Sequence, residues 1–299
     1  MENKKPIIIF GGAGQDGYYL KKLLETQGQL VYSYGFSNKK FKRVDVGDYI
    51  AVSNLIKLLR PTMVFHLAAK STTKHDAILL NQNAIVNGTV SILEAVEKFV
   101  PKCKVFIASS GLIFENKGKP INEKTKLVSD TAYALARVQS LMCARYYRRR
   151  GLMIYVGILF NHESSLRPKH SIAKQIVRDV LKVSRGKINK IKIGNADTVK
   201  EWTYAEDSVR AMLTLTAQSD IFEANIGSGV GYSIKTFAEI CCNSVGKKLQ
   251  DYLIENKEFT PQYMSFTSDP SLIKSIGWNT TVDIFELANK MLQAEVSNY

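Results

Sequence analysis

The 299-residue sequence has few cysteines and few acidic residues, and it lacks any long apolar run. Its four cysteines (Cys103, Cys143, Cys241 and Cys242) are not spaced as metal ligands or as a disulfide framework. This cysteine usage is typical of a reducing compartment such as the cytoplasm. No stretch reaches the roughly 18 consecutive apolar residues of a membrane-spanning helix. The composition therefore predicts a cytoplasmic protein that has neither a membrane span nor a metal site.

The shortage of acidic residues leaves a strongly basic chain. There are 27 Asp and Glu residues against 41 Lys and Arg residues, for a net charge of +14. The basic residues are scattered apart from two runs at 38–43 and 145–150. Since no zinc-finger spacing and no aromatic RNA-binding motif accompanies them, nucleic acid is not a predicted partner. A phosphate-bearing cofactor and a phosphate-bearing substrate explain the charge better.

The first 160 residues alternate short β-rich runs with helical patterns, which is typical of a parallel sheet covered on both faces. Strands are predicted at 6–11, 30–34, 41–46, 62–68, 104–110 and 152–160, and helices near 16–26, 49–59, 83–99 and 132–149. We expect an α/β fold with a Rossmann-type doubly wound parallel sheet.

The remaining residues are less regular, and no repeat or low-complexity linker separates them from the first part. Helices are predicted near 171–183, 205–217, 233–245, 269–276 and 282–296, and short strands near 190–193 and 222–226. We expect a dinucleotide-binding domain at 1–165 and a smaller α/β substrate lobe at 166–299, with some elements exchanged between the two.

A glycine array follows the first predicted strand. Gly11, Gly14 and Gly17 form the pattern G-x-x-G-x-x-G between a strand and a helix. The first glycine permits a tight turn, the second lets the backbone approach a pyrophosphate, and the third lets the helix press on the strand. The array predicts a bound dinucleotide at the helix N-terminus.

The residues after the second predicted strand distinguish between NAD and NADP. An NAD site usually places an acidic residue there to bind the ribose 2′-hydroxyl, but no acid occurs from Thr26 through Val44. The stretch instead holds basic residues, which attract a 2′-phosphate, so we expect NADP(H). Candidate contacts to its adenosine half are Ser37, Asn38, Lys39, Lys40, Lys42, Arg43, Asp45 and Val46.

Several motifs resemble those of extended short-chain dehydrogenases/reductases, and the resemblance runs nearly end to end. The stretches "GGAGQDGYYL", "GILFNHESSLRP" and "SDPSLIKSIGW" resemble GDP-mannose 4,6-dehydratases. The stretches "ASSGLIF" and "KPINEKTK", followed by "YALAR", are more similar to GDP-4-keto-6-deoxymannose reductases. Both groups use NADP in activated deoxysugar synthesis. The cofactor site that the resemblance implies comprises Gly11, Gly14, Gln15, Asp16, Gly17, Ser37, Asn38, Lys39, Asp45, Val46, Leu67, Ala68, Ala69, Tyr133 and Arg137.

The resemblance also implies a catalytic group of Ser110, Tyr133 and Arg137. Arg137 stands where the family has a lysine that contacts the nicotinamide ribose and lowers the pKa of the tyrosine. Hydride transfer at a sugar C4 requires a proton to move to or from O4. A hydroxyl acid beside the nicotinamide can transfer that proton. Arginine keeps the positive charge of lysine but is planar and longer. Because reduction suits a neutral phenol whereas oxidation needs phenolate, Arg137 favours reduction.

The position two residues after Ser110 favours the same direction. Related dehydratases carry a glutamate there as the base that removes the C5 proton, and this chain has Leu112. We therefore expect an NADPH-dependent reductase of a nucleotide-linked 4-keto-6-deoxy sugar. A dehydratase or epimerase that recruits Glu115 or Glu123 as base is the first alternative. A non-catalytic NADP(H)-binding protein is the second.

Further departures concern the substrate. Phe114 and Glu115 replace a usual Tyr-Gly pair, and an expected phosphate-binding arginine is missing near Thr260, so the nucleotide can differ from GDP. His66 and His162 are interpreted as packing or hydrogen-bonding residues. A homodimer through the helices at 83–99 and 132–149 is expected from the relatives. The predicted substrate contacts are Ser110, Asn161, Lys174 and Lys200, with Lys192 as a further anion-binding candidate.

Overall fold

A computed structural model describes residues 5–35, 42–256 and 258–297 of the chain. Its strands are β1 (Ile7–Phe10), β2 (Val31–Gly35), β3 (Lys42–Arg43), β4 (Met63–His66), β5 (Lys104–Ser110), β6 (Ile154–Leu159), β7 (His162–Glu163), β8 (Ile191–Ile193), β9 (Val199–Glu201), β10 (Thr203–Tyr204), β11 (Glu223–Ile226), β12 (Gly231–Ser233), β13 (Leu253–Glu255) and β14 (Ser265–Phe266). Its helices are α1 (Gln15–Thr26), α2 (Tyr49–Leu59), α3 (Ile78–Asn81), α4 (Gly88–Phe99), α5 (Ala132–Arg149), α6 (Ile172–Ser184), α7 (Ala205–Thr216), α8 (Ile234–Asn243), α9 (Ser271–Ser275) and α10 (Ile284–Val296).

The central element of the fold is a parallel sheet in the order β11-β6-β5-β4-β1-β2-β3. The part from β3 to β6 has the strand order of a dinucleotide-binding doubly wound sheet, so the predicted fold class is confirmed. The register pairs Phe10 with His66 and Ser110 with Leu159. The carboxyl ends of β1, β4, β5 and β6 therefore lie at one edge, where such sheets bind their ligands.

Side chains that alternate along the strands form a separate core on each face of the sheet. On one face, Ile8, Val64 and Val105 pack with residues of α2, α4 and α5. On the other face, Ile9 and Phe65 pack with residues of α1, α7 and α9. Because α7, α9 and β11 come from the second half of the chain, the two halves share the sheet rather than fold apart.

A third core holds the later residues together. It is built from α6, α8, α10 and β8, and Trp202 stacks on Phe237 at 4.1 Å between ring centroids. Ser171, Ser233 and Asp283 cap the three helices by accepting backbone N–H bonds. The predicted helices of this region agree with the structure. The short strands β7, β9, β10, β12, β13 and β14 were not predicted.

The helix predicted at 83–99 begins earlier and is not uniform. The structure has α3, then a π-helical turn over Gln82–Asn87, and then α4. The widened turn presents Asn83 to Asp45, with amide-to-carboxylate distances of 3.1 and 3.2 Å. Such turns inside α-helices often occur at functional sites.

Two further findings concern membrane-spanning helices and metal sites. Within the described residues, no helix combines the length and the apolar character that a membrane crossing requires. The same residues contain no cluster of His, Cys, Asp and Glu side chains that could hold a metal ion.

Asp207, in the first turn of α7, ties the sheet to the later lobe. Its buried carboxylate accepts N–H bonds from Thr281 at 2.8 Å and Val282 at 3.1 Å, and it also pairs with Arg210. Asp207→Ala leaves these donors unsatisfied, so we predict a loss of about 3 kcal/mol in the free energy of unfolding, measured by urea denaturation.

The matched control for this variant is Asp220→Ala, since Asp220 is exposed beyond the end of the same helix. We expect it to change the free energy of unfolding by less than about 0.5 kcal/mol. Equal effects of the two substitutions would contradict the role given to Asp207.

Candidate active site

The three glycines of the turn after β1 differ in what surrounds them. Gly11 has a φ of +93°, and a Cβ there would lie 2.6 Å from the backbone N of Ala68. A Cβ on Gly17 would lie 2.5 Å from the Cα of Gly12, so α1 packs directly on the turn. A Cβ on Gly14, however, would meet only the carbonyl oxygen of Gly11, at 3.4 Å. The turn is therefore closed toward the protein at Gly11 and Gly17 and open outward at Gly14.

The open side of the turn faces the beginning of α1. No side chain caps this helix, which starts after Gly14. The first backbone N–H groups of a helix lack partners within the helix and carry a partial positive charge, which suits a phosphate. The uncapped helix and the open position at Gly14 fit a dinucleotide.

Gln15 and Asp16 connect the glycine turn to the segment that follows β6. The Gln15 amide donates to the His162 carbonyl at 3.2 Å and accepts from the Ser164 hydroxyl at 2.8 Å. Asp16 pairs with His162 Nε2 at 3.0 Å, while His162 Nδ1 bonds to the Phe160 carbonyl oxygen at 2.7 Å. The motifs "GQDG" and "NHES", which are far apart in the sequence, are thus in direct contact.

The contact between Asp16 and His162 sets their charge states. Burial would raise the pKa of Asp16, but the charge and hydrogen bond of His162 outweigh it and leave that pKa below its ordinary 3.8. Burial would lower the pKa of His162, but Asp16 and the Phe160 carbonyl raise it above its ordinary 6.5. His162 has the hydrogen-bonding role predicted from the sequence, and the pair is ionised at mildly acidic pH.

Ser110 and Tyr133 are the first two members of the predicted catalytic group. Ser110 ends β5, and its Oγ accepts the Leu112 N–H at 3.3 Å. Since this bond uses an oxygen lone pair, the hydroxyl proton stays available to a substrate oxygen. Tyr133 lies in the first turn of α5, which Thr131 caps by accepting the Ala134 N–H at 3.1 Å.

Arg137 is turned inward below Tyr133. Only 3% of its surface is exposed, its Nη1 donates to the Ala108 carbonyl, and its Cζ lies 5.1 Å from the centroid of the Tyr133 ring. Within the described residues its buried Nε has no hydrogen-bond partner. A guanidinium in this setting still needs an acceptor, which the hydroxyls of a cofactor ribose would supply.

His66 lies near the Arg137 charge at the end of β4. Burial, and then the positive charge of Arg137, lower the pKa of His66 to about 4. The imidazole is therefore neutral, and its Nε2–H donates to the Ile85 carbonyl at 3.3 Å. This is the hydrogen-bonding role that the sequence predicted for His66.

The adenosine half of the predicted cofactor site is described in part. Ser37, Asn38, Lys39 and Lys40 lie outside the described residues. The Asp45 carboxylate accepts from Gly47 N–H at 2.9 Å and from Asn83, and Val46 is buried in the core. The segment 67–69 continues from β4 beside Gly11, and its residues Leu67, Ala68 and Ala69 are partly exposed. These contacts to a cofactor stay predictions.

The predicted substrate lysines are engaged inside the protein, apart from one. Lys174 pairs with Glu295 at 2.5 Å, and Lys200 pairs with Glu163 at 3.0 Å, and both lysines are buried. Lys192 is exposed on β8. The charges of Lys174 and Lys200 are thus largely neutralised before any phosphate binds, although their role in substrate binding is untested. Asn161 is partly exposed at the end of β6 and stays a candidate.

The carboxylates near Leu112 are held by other groups. Glu115 pairs with Lys117 at 3.0 Å, and Glu123 accepts the Asn225 backbone N–H at 2.7 Å. Glu163 is buried, and although burial raises its pKa, the charges of Lys200 and Arg167 lower it overall. A carboxylate held ionised by two cations is a weak base, so Glu163 is poorly suited to remove a C5 proton, whereas Glu115 and Glu123 are engaged by Lys117 and by the Asn225 backbone.

Tyr263 lies near the predicted site residue Asn161 and was not predicted. It follows the irregular stretch after β13, far along the chain from the catalytic motifs. Its ring packs on Phe266 with 4.8 Å between centroids, and burial raises the pKa of its phenol while the nearby Asn161 lowers it in part. No sequence signal marked it, because a single tyrosine in a loop has neither periodicity nor a partner at fixed spacing.

The glycine turn provides a matched pair of variants. Gly14 has φ −81° and ψ 169°, which alanine adopts, so Gly14→Ala should cost less than about 1 kcal/mol of stability. Its methyl group would occupy the open side, and we predict at least a roughly tenfold weaker affinity for NADPH in a fluorescence titration. Gly17→Ala is the contrast, because its clash with the Gly12 backbone should lower the melting temperature as well. Unchanged NADPH affinity in Gly14→Ala would contradict the assignment of the turn.

The Asp16–His162 pair predicts how stability depends on pH. The raised pKa of His162 contributes stability that is complete below 6.5 and is lost as pH rises through the folded-state pKa. The lowered pKa of Asp16 contributes stability that is complete above 3.8 and is lost as pH falls through its folded-state pKa. The difference in unfolding free energy between the wild type and Asp16→Asn should therefore be largest between 3.8 and 6.5.

The control for this pH series is Asp179→Asn, because Asp179 pairs with Lys182 and no histidine is involved. The difference in unfolding free energy between the wild type and Asp179→Asn should not decrease between neutral and mildly alkaline pH. The corresponding difference for Asp16→Asn should decrease over the same range. A difference for Asp16→Asn that is the same at every pH would show that the pair is not ionised.

Comparisons with known proteins agree with the fold. A model of the family described as GDP-mannose 4,6 dehydratase matches residues 8–291. The chain is 26% identical to GDP-mannose 4,6 dehydratase 2 of Caenorhabditis elegans, over 98% of this chain and 90% of that relative. Among solved structures, dTDP-glucose 4,6-dehydratase of Bacillus anthracis in complex with NAD has 18% identity and a TM-score of 0.84, covering 98% of this chain and 97% of that one. RMD of Pseudomonas aeruginosa complexed with NADPH has 17% identity and a TM-score of 0.85, covering 99% and 100%. The two structures establish the fold, and the family match shows that this chain belongs to the GDP-mannose 4,6 dehydratase family.

Proposed function

We propose that this chain catalyses hydride transfer at C4 of a nucleotide-linked sugar with a bound nicotinamide dinucleotide. The observation that carries the proposal is the open glycine turn at the sheet edge, and the position of Ser110 at the end of β5 and the Arg137–Tyr133 contact support it. Family membership and the dinucleotides bound by solved relatives support it.

Ser110, Tyr133 and Arg137 would each have a separate role in the transfer. The bound nicotinamide supplies or accepts the hydride. The Ser110 hydroxyl donates a hydrogen bond to O4 and holds it, since its oxygen is already fixed by the Leu112 N–H. Tyr133 gives its proton to O4 as negative charge develops there. Arg137 stays under the ring of Tyr133 and offers its remaining N–H groups to the cofactor ribose.

We propose reduction of a 4-keto-6-deoxy sugar as the direction of the reaction. Elimination of water requires a base for the C5 proton, and Leu112 stands where a carboxylate is needed. Two other carboxylates that could serve as the base, Glu115 and Glu123, are bound to Lys117 and to the Asn225 backbone. Reduction needs only the hydroxyl acid that the site contains.

The second candidate is 4,6-dehydration, and the comparisons favour it. The matching family is named for this activity, and so is the relative from Caenorhabditis elegans. Glu115, Glu123 and Glu163 are each held by other groups, so dehydration by this chain requires one of them to be released or a further base to be recruited. The two candidates share the hydride transfer at C4 and differ in the starting sugar.

We propose NADP(H) rather than NAD(H) as the cofactor. The second strand ends at Gly35, and no acidic residue follows before Asp45. Lys42 on β3 is exposed next to this region, where a 2′-phosphate would lie. One solved relative binds NADPH and another binds NAD, so the fold accepts both.

The homodimer expected from the helices at 83–99 and 132–149 stays a proposal. Met142 and Tyr146 on α5 are 43% and 51% exposed, which leaves apolar surface on that helix for a partner to cover.

Parallel assays distinguish the two candidates. In one, the protein receives NADPH, or NADH for comparison, with GDP- or dTDP-linked 4-keto-6-deoxy sugars, and nicotinamide absorbance is followed. In the other, it receives NADP⁺ with GDP-mannose, dTDP-glucose or UDP-glucose, and mass spectrometry detects loss of water. We expect NADPH to be consumed in the first assay, and Tyr133→Phe to lower kcat by roughly 10²- to 10⁴-fold.

The matched control is Tyr146→Phe, since Tyr146 is an exposed phenol on the same helix. It should keep wild-type kcat. A dehydrated product in the second assay, without NADPH consumption in the first, would establish the dehydratase instead. NADPH binding without turnover in either assay, unrestored by Arg137→Lys, would establish a non-catalytic protein.

A further inference from the structure

Asp45 lies at the sheet edge that carries the glycine turn. It comes two residues after β3, which is the last strand of the sheet on that side. The next residue, Val46, turns back toward β4, since a Cβ on Gly88 would lie 2.8 Å from the Val46 side chain and 3.1 Å from the His66 ring. Because β1 and β2 lie between β3 and β4, the segment that carries Asp45 runs past the carboxyl ends of these two strands, where the glycine turn begins.

Within the described residues, two donors hold the Asp45 carboxylate. The Gly47 N–H donates to Oδ1 at 2.9 Å, and the Asn83 amide donates to Oδ1 at 3.1 Å and to Oδ2 at 3.2 Å. Asn83 in turn accepts from the Asn87 amide at 3.4 Å, which orients its own amide N–H groups toward Asp45. A carboxylate has about four lone-pair sites, so these bonds leave it able to accept from a further donor.

The side chain of Asn83 is held against Asp45 from two sides. It projects from the π-helical turn over Gln82–Asn87, whose i→i+5 hydrogen bonding places side chains differently from a regular α-helix. On the other side, Gly47 has no side chain, and a Cβ there would lie 2.2 Å from the Asn83 Oδ1. The backbone at both positions therefore fixes the contact between Asn83 and Asp45.

The position of β3 in the sheet determines which half of a dinucleotide would meet Asp45. The strand order places β5, which ends at Ser110, on one side of β1 and places β3 on the other. With a pyrophosphate at the turn after β1 and a nicotinamide beside Ser110, the adenosine half extends toward β2 and β3. Its donors are the adenine amino group and the ribose hydroxyls, and an ionised carboxylate can bind only donors.

We propose that Asn83 is a positioning residue, which holds the Asp45 carboxylate to accept a hydrogen bond from the amino group of adenine in the cofactor. The inference rests on the proposed function, which places the nicotinamide beside Ser110. The amino group suits Asp45 better than the ribose does, because a 2′-phosphate on that ribose would repel the carboxylate. Asn83 acts through Asp45 rather than by its own contact with the cofactor.

The test compares NADPH with its hypoxanthine analogue by fluorescence titration. Hypoxanthine has a carbonyl oxygen where adenine has the amino group, and the ribose, phosphates and nicotinamide are the same in the two dinucleotides. NADH and its hypoxanthine analogue are measured in parallel, and the pair that the wild type binds more tightly is the one compared. The variants are Asn83→Ala, Asp45→Ala and the two combined. The matched control is Asn243→Ala, since Asn243 is an exposed asparagine at the end of α8.

We expect the wild type to bind the adenine dinucleotide at least roughly tenfold more tightly than the hypoxanthine analogue, as a hydrogen bond to a charged group provides. Asp45→Ala should abolish this preference, and Asn83→Ala should reduce it by roughly threefold or more. In the Asp45→Ala background, Asn83→Ala should not change the preference further, because it acts through that carboxylate. Asn243→Ala should keep the wild-type preference.

A wild type that binds the two bases equally would overturn the inference. An Asn83→Ala variant that keeps the wild-type preference would also overturn it, whether its affinities are unchanged or are weakened equally for both dinucleotides as by a merely structural residue. A wild type that binds none of the four dinucleotides would overturn the proposed function itself, which is a different result.

Discussion

The buried guanidinium of Arg137 is the group on which the arrangement of the catalytic edge depends. A charge removed from water costs several kcal/mol unless other groups compensate it. Here the Ala108 carbonyl and the face of the partly exposed Tyr133 ring provide part of that compensation, and a cation over an aromatic ring is worth about 0.5 to 2 kcal/mol. The guanidinium thus joins β5 to α5 and lies against the ring of Tyr133. A lysine ammonium is a compact point charge and would not span the same groups, so the exchange for arginine changes how the tyrosine is supported while the positive charge is kept.

The second constraint is the contact between the glycine turn and the segment after β6. Gln15 and Asp16 at the start of α1 bond to His162 and Ser164, so the turn that is predicted to hold a pyrophosphate is bonded to the segment that is predicted to reach the sugar. The neighbouring residue Glu163 continues the connection, since it pairs with Lys200 of β9. The predicted cofactor side and the predicted substrate side are therefore linked by hydrogen bonds. This explains in physical terms why the two motifs occur together in the sequence.

Much of the fold followed from the sequence, because its signals are local and repeated. Buried β-rich runs marked β1, β4, β5 and β6, and glycine spacing marked the turn whose three positions the structure shows to have different surroundings. The strands of two or three residues in the later lobe carry no periodicity, so they could not be predicted. Lys174 and Lys200 were chosen for their charge, but sequence does not reveal that Glu295 and Glu163 lie within reach. Tyr263 depends on packing between distant segments, and only coordinates could place it beside Asn161.

The most direct measurement follows the hydride itself. NADPH carrying deuterium at C4 of its nicotinamide, prepared separately for each face of the ring, is incubated with a nucleotide-linked 4-keto-6-deoxy sugar, and the product is examined by nuclear magnetic resonance. A phenol and a serine hydroxyl that serve O4 in a reductase predict deuterium at C4 of the sugar from one of the two labelled forms. A product without deuterium at C4, or an unmodified sugar that passes its own C4 hydrogen to C6, would contradict that account.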